Sequence, residues 1–177
     1  MNKFIAIFIF SLLFVSCSSD LNFEQVNDLS LKATVVANLA SFDIQANQFV
    51  SNGTERPLLD VMNFKVFNDV NLTNNLSRTD LFFEVNNTIN RACTIRLYFL
   101  DGNNVELYTI SFVVPAYMPN QSPVTKTDIF ENTKLDILKQ TQKIAFVVAL
   151  SPGIPLADSS LGSLKMRSSA TIYFLSK

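Results

Sequence analysis

The chain has 177 residues, a formal net charge of −1, 48 % hydrophobic residues and neither histidine nor tryptophan. Without histidine it lacks the base of Ser-His-Asp and Cys-His catalysis and the imidazole ligand of zinc sites. It also lacks the clusters of Lys and Arg that neutralise nucleic-acid phosphates, so we predict no nucleic-acid partner. These gaps predict a protein that is not an enzyme and that uses no cofactor or metal.

Residues 1–16 have the pattern of a signal peptide. Lys3 supplies a positive charge, residues 4–15 form an apolar run, and Ser16 is the small residue needed before a cleavage site. The run is shorter than the about 20 residues of a transmembrane helix. Residues 13–17, Leu-Phe-Val-Ser-Cys, resemble the bacterial lipobox. This resemblance implies that Cys17 is lipidated and anchors the protein in the outer membrane, either exposed at the cell surface or facing the periplasm.

The mature chain is expected to consist of a tether and one domain. Residues 17–28 are polar and form the tether, and residues 29–177 are long and apolar enough to bury a single core. Cys93 is the other cysteine of the chain, so no intramolecular disulfide is possible once Cys17 carries lipid. Stability must therefore come from packing.

Alternation of apolar and polar residues predicts strands in the first part of the domain. In residues 31–39 the odd positions are apolar, which predicts that Leu31, Val35 and Leu39 point inward. The pattern continues through residues 42–46, in the same strand or in a second strand after a bend. After a turn-rich segment, residues 61–67 form a short strand.

The clearest unit is a strand at residues 79–87 followed by a hairpin at residues 92–114. The hairpin turn, Asp101-Gly102-Asn103-Asn104, contains residues that tolerate positive φ. Cys93 shares one face of the first arm with three apolar residues, so we interpret its thiol as a small buried group and not as a nucleophile.

The remaining segments alternate between loops and regular structure. Residues 116–123 form a loop, residues 124–130 a strand, and residues 131–142 a helix that Asn132 or Thr133 can cap. Residues 143–150 are apolar on both faces, as in a central strand. A long loop at 151–163 precedes a last strand at 164–175, and this loop and the loop at 116–123 could cluster at one end.

The strand that contains Phe83, Val85 and Asn87, followed by a hairpin with a Gly-Asn turn, is similar to immunoglobulin-like domains. Such domains occur in bacterial surface repeats and in late-embryogenesis-abundant type 2 proteins. The resemblance covers residues 79–114 and implies an all-β, antiparallel sandwich of about seven to nine strands with one short helix near residues 131–142. The chain as a whole resembles the small uncharacterised outer-membrane lipoproteins of flavobacteria, in the Bacteroidota.

Two functions are consistent with a membrane-anchored β-sandwich of this kind. The first is a non-catalytic interaction module with a protein partner in the envelope, either an accessory subunit of an envelope complex or an adhesin-like domain. The alternative is a ligand-binding lipoprotein that captures a glycan or an apolar molecule, although the residues that would bind it are not evident.

The turn from Asp101 to Glu106 raises one further possibility. Its carboxylates and the amides of Asn103 and Asn104 offer oxygen ligands for calcium, but their spacing is not that of an EF-hand, so calcium binding stays open. A catalytic role for the Asp101 and Glu106 pair is a weaker explanation than solvation of the turn.

Overall fold

The computed structural model of the chain describes residues 31–64, 66–67 and 73–176. The predicted signal peptide, Cys17 and the whole predicted tether lie outside the described residues. The strands are β1 (Leu31–Gln45), β2 (Val50–Ser51), β3 (Thr54–Glu55), β4 (Leu58–Asn63), β5 (Leu76–Asn87), β6 (Cys93–Leu100), β7 (Glu106–Val114), β8 (Val124–Glu131), β9 (Lys143–Leu150) and β10 (Ser163–Ser176). The secondary structure also includes α1 (Leu135–Gln140), a helix, and 3-10 turns at Ala46–Phe49 and Asn132–Lys134.

The strands form two four-stranded sheets and a small ribbon. The first sheet has the order β1-β10-β5-β8, the second has the order β4-β9-β6-β7, and β2 pairs with β3 in the ribbon. When the ribbon is set aside, the first strand pairs with the last, the second with the second to last, and so on inward to the β6–β7 hairpin. This is one long hairpin rolled around a core, which is the winding of a jelly roll.

The predicted all-β antiparallel sandwich is confirmed. Eight long strands make up its sheets, and the short helix lies near residues 131–142 as expected. The similarity of residues 79–114 to immunoglobulin-like domains covers β5, β6 and β7, which fold as the strand and hairpin that the sequence predicts. The order of strands beyond this unit is that of the jelly roll. Within the described residues, no helix has the length and hydrophobicity needed to cross a bilayer.

The two sheets meet through aromatic side chains. Phe99 of β6 and Phe130 of β8 are fully buried, and their ring centroids are 5.6 Å apart. Phe83 of β5 lies 6.2 Å from Phe112 of β7, measured between ring centroids. Tilted contacts at these separations are the favourable geometry for aromatic pairs, so these rings join the sheets across the core.

The predicted inward face of the first strand is confirmed at Leu39, which packs against the core, and is wrong at Val35, while the side chain of Leu31 lies outside the described residues. Val35 is 49 % exposed, and the side chains of β1 that pack against the core are mainly those of Ala40, Phe42 and Ile44, at even positions. Residues 42–45 continue the same strand. Alternation failed as a guide because residues 33–38 are exposed at odd and even positions alike, so neither face of that half of the strand is buried.

Two other boundaries differ from the prediction. The strand expected at residues 61–67 is β4, which begins at Leu58, directly after Pro57, and ends at Asn63. The expected helix is shorter, because a 3-10 turn precedes α1 and delays its start to Leu135. For the same reason neither Asn132 nor Thr133 caps it, although Leu135 and Leu138 are buried as their spacing predicts.

The aromatic contact between the sheets predicts a large loss of stability when it is removed. Phe99→Ala should lower the free energy of unfolding by about 3–5 kcal/mol, because it deletes a buried ring and leaves a cavity. Urea denaturation followed by circular dichroism measures this difference. Val105→Ala, at an exposed position beside the hairpin turn, should change stability by less than about 0.5 kcal/mol. Equal effects of the two substitutions would contradict the assigned core.

Candidate functional site

An apolar cleft of about 380 Å³ opens between β1 of the first sheet and β4 of the second. Both strands are edge strands of their sheets. The apolar side chains around the cleft come from β1, β4 and β9: Leu39, Phe42, Ile44, Leu58, Met62 and Phe146. The cleft is therefore an opening into the space between the sheets along one side of the sandwich.

The cleft exists because an edge strand has a neighbour on one side only. Phe42, Leu58 and Met62 pack on the core but stay partly exposed at the mouth of the cleft. Phe146 and Val148 of β9, one strand further in, are buried and form the floor. A molecule that enters between the edge strands would thus touch the core of the sandwich.

Asp60 is the charged side chain that lines the cleft. It lies opposite Phe146 in the pairing of β4 with β9, between Leu58 and Met62, which also belong to the inward-facing set of β4. Its carboxylate accepts a hydrogen bond from the N–H of Val61 at 2.8 Å. An inward-pointing charge on an edge strand is one of the devices that hinder the addition of a further strand.

The volume and lining of the cleft suit a compact apolar group. Ligand sites typically enclose about 300–1,000 Å³, with mostly apolar walls and a few polar groups that orient the ligand. Here Ser41 and Asp60 are the polar side chains at the walls. A sugar would need more hydrogen-bond partners than these two side chains supply, so the arrangement favours an apolar ligand over a glycan.

The two loops that were expected to cluster do leave the sheets at one end. Cys93 pairs with Val114 on one side and with Leu150 on the other, which brings the beginnings of loops 115–123 and 151–162 together. The buried Arg91 side chain fastens the second loop, donating a hydrogen bond to Ser151 O at 2.7 Å and another to Ile154 O. This end is therefore tied by a buried guanidinium.

Glu55 completes the Arg91 cluster. Its carboxylate is 3.2 Å from the Arg91 guanidinium, and it also accepts a hydrogen bond from the N–H of Leu156 at 2.6 Å. The ion pair connects the β2–β3 ribbon with loop 151–162. Its charges are used within the protein, so we assign the cluster a structural role.

The hairpin turn uses its oxygen atoms internally. Asp101 Oδ1 accepts hydrogen bonds from the N–H groups of Asn103 and Val105, both at 2.8 Å. Asn104 Oδ1 accepts one from Lys143 Nζ at 2.7 Å, and Glu106 Oε1 one from the Thr109 hydroxyl at 2.6 Å. These side chains satisfy the turn and its neighbours and do not converge on one point. Among the described residues, no group of three or more acidic, cysteine or histidine side chains is placed to hold a metal ion.

Cys93 lies in the core, as the sequence predicts. Its side chain is buried beside the inter-sheet contacts, and this burial raises the pKa of the thiol from 9.0 to about 12. A thiolate is the nucleophilic form of cysteine. The environment of Cys93 therefore keeps it in the unreactive, protonated form near neutral pH.

One polar cluster was missed by sequence reasoning. The Lys134 ammonium lies 4.5 Å from the ring centroid of Tyr108 and 4.4 Å from that of Phe130, and it pairs with Asp128. Tyr108 also donates a hydrogen bond to Asp128 at 2.9 Å. Burial alone would lower the pKa of Lys134, but the bonds to Asp128 and Tyr108 outweigh it and raise the pKa. Lys134 thus stays charged and links β7, β8 and the turn before α1.

Comparisons with known proteins do not identify a family. No protein-family model matches the chain, and no curated protein is similar to it. The VP2 subviral particle of infectious bursal disease virus aligns with a TM-score of 0.43 and 11 % identity, over 83 % of this chain and 33 % of the VP2 chain. This chain thus spans about a third of the length of VP2.

Two plant-virus structures align more weakly. Desmodium yellow mottle tymovirus has a TM-score of 0.36 and 9 % identity, over 84 % of this chain and 83 % of the viral chain. Turnip yellow mosaic virus has a TM-score of 0.35 and 10 % identity, over 84 % of this chain and 95 % of the viral chain.

The buried thiol yields a chemical prediction. Raising the pKa from 9.0 to about 12 lowers the thiolate fraction of Cys93 at pH 8 by roughly a thousandfold. The Cys93 thiol of native protein should therefore react with a thiol reagent at least about a thousandfold more slowly than that of denatured protein. Mass spectrometry measures the two rates. Cys93→Ala identifies the signal, because Cys17 is then the one cysteine of the chain. Equal rates in the native and denatured states would show that Cys93 is accessible.

Proposed function

We propose that this protein is a non-catalytic lipoprotein, anchored to the outer membrane by lipid on Cys17, that binds an apolar ligand in the cleft between β1 and β4. The observation that carries the proposal is the cleft itself, with its apolar walls and buried floor. Of the two functions suggested by the sequence, ligand capture is the one that this geometry favours.

The chemistry of the ligand follows from the lining. Phe42, Leu58 and Met62 offer apolar surface, so removal of a hydrocarbon group from water supplies the driving force. Asp60 at the wall disfavours a ligand that carries its own negative charge close to the apolar part. We therefore propose a neutral or cationic amphiphile, or an acyl chain whose polar end remains in solvent.

The interaction-module alternative has support from a separate surface. At the loop end of the sandwich, Ile154 is 85 % exposed and Leu161 is 88 % exposed, and Tyr117 and Met118 of the neighbouring loop are also exposed. Large apolar side chains at loop tips are typical of surfaces that contact a partner. A protein partner in the envelope would meet these tips, and none of these four side chains lines the cleft.

Labelling with a photoreactive, diazirine-bearing fatty alcohol tests ligand capture. In full-length protein reconstituted in nanodiscs, we expect cross-links to peptides that contain residues 39–44 and 58–62. Met62→Trp should reduce this labelling by about tenfold, equivalent to about 1.4 kcal/mol of binding free energy, because the larger side chain fills the cleft. Mass spectrometry of the cross-linked peptides measures both effects.

The matched control is Val113→Trp, which adds the same side chain at an exposed position on β7. It should leave the labelling unchanged, and thermal melts should show that both variants are folded. Labelling spread evenly over the surface, or unaffected by Met62→Trp, would remove the cleft as the ligand site. Labelling at the loop tips instead would favour the interaction-module alternative.

The anchor is tested separately through the two cysteines. Cys17→Ser should abolish incorporation of radiolabelled palmitate, because it removes the thiol that receives the lipid. Cys93→Ser should keep the label, since Cys93 is buried in the core. Gel autoradiography of the two variants, expressed with the complete signal peptide, measures the outcome. Palmitate incorporation into Cys17→Ser would refute lipidation at this position.

A further inference from the structure

The free edge of β1 has the features of a surface that pairs with another strand. β1 lies at the end of the order β1-β10-β5-β8, so β10 is its neighbour on one side, and among the described residues no strand pairs with its other side. The strand has 15 residues, and the side chains of residues 33–38 are all exposed. Val36 is 68 % exposed.

The other sheet edges carry features that hinder strand addition. β4 has the inward-pointing carboxylate of Asp60, and β8 carries Lys126 and Asp128. The pairing of β7 with β6 contains a register shift, and Pro115, which has no N–H to donate, directly follows β7. Charges, bulges and prolines are the usual means by which proteins protect sheet edges.

The central part of β1, between Lys32 and Asp43, lacks these protections. From Ala33 to Phe42 it contains no charged residue, no proline and no glycine. Thr34, Val35 and Val36 are β-branched, and such residues favour extended pairing. Long, uncharged edge strands of this kind are sites of association between chains.

We propose that residues 32–38 of β1 pair antiparallel with the same residues of a second copy of this chain. The contact would join two four-stranded sheets into one continuous eight-stranded sheet related by a two-fold axis. A second copy fits because a two-fold contact requires a self-complementary surface. This segment meets that requirement with the axis through Val35, because Val35 then faces Val35 of the second copy, Thr34 faces Val36 and Ala33 faces Ala37. No like charges oppose each other in this register.

The pairing is independent of the ligand proposed for the cleft. The cleft is lined by residues of β1 from Leu39 onward, whereas the pairing segment ends at Asn38. The new strand lies in the plane of the first sheet and does not enter the space between the sheets. Failure of one proposal therefore leaves the other standing.

Disulfide trapping in native membranes tests the pairing. Full-length protein with single substitutions Val35→Cys, Val36→Cys or Ala37→Cys is oxidised and run on a non-reducing gel. Residues directly opposite each other in an antiparallel pair have Cα atoms about 4.5–5.5 Å apart, within disulfide range. We expect a band of twice the monomer mass for the position nearest the two-fold axis, with weaker bands on either side.

The matched control is Val113→Cys, an exposed position of similar character on the second sheet, which should not cross-link. No band from any of the three β1 positions, or an equal band from Val113→Cys, would overturn the proposal. A cross-linked band of another mass would show that a different protein pairs with β1, which also overturns it.

A charge substitution supplies a second measurement. Val36→Lys places two ammonium groups near each other across the two-fold axis. The dissociation constant of the dimer, measured by mass photometry of the detergent-solubilised protein, should therefore rise at least about tenfold. Val36→Thr keeps a β-branched, uncharged residue and should preserve the dimer. Thermal melts should match for both variants, because Val36 is exposed in the monomer. An unchanged dimer population in Val36→Lys would contradict pairing through this segment.

Discussion

Packing of the two sheets through their apolar inner faces is the interaction on which the rest of the structure depends. Cys93 is free and buried, so no disulfide within the described residues holds the sheets together. Phe83, Phe99 and Phe130 instead fill the space between them. The jelly-roll winding allows this packing because each strand pairs with the strand symmetrically placed along the chain, so both sheets form together around one core.

The same architecture produces the features that are candidates for function. Each open sheet has two edge strands. The inward-facing side chains of an edge strand are covered by a neighbouring strand on one side only. Where β1 and β4 lie across from each other, this incomplete cover opens the apolar cleft. Where β1 extends along residues 33–38, its side chains are exposed and its edge is free. Polar clusters elsewhere, at Arg91 and at Lys134, bond internally and hold loops and turns in place.

Local pattern was a good guide where local interactions decide the structure. The hairpin of β6 and β7 was predicted because its turn residues and alternating arms are contiguous in sequence, and burial of Cys93 followed from the same alternation. The buried face of α1, with Leu135 and Leu138, followed from helical spacing. The predicted inward position of Val35 in β1 was wrong because exposure of residues 33–38 depends on what lies on both sides of the sheet, and alternation does not report this.

The candidate site was beyond the reach of local pattern. Phe42, Met62 and Phe146 have ordinary apolar positions in three separate strands, and nothing in their spacing indicates that they surround one opening. Their proximity comes from the order of strands, which places β1 and β4 at edges on the same side. The sequence around Asp60 likewise gives no indication of a cleft. Its pairing opposite Phe146 places it at the wall.

Composition and nearest-neighbour patterns were enough to predict the strand-rich class, the main hairpin, the short helix and the absence of histidine chemistry. The sequence also supplied the lipobox, on which the proposed anchor rests. The tertiary structure alone decided the jelly-roll order, the cleft and the free edge of β1. Each of these depends on contacts between residues far apart in the chain, and such contacts form only when the two sheets bury their inner faces against each other.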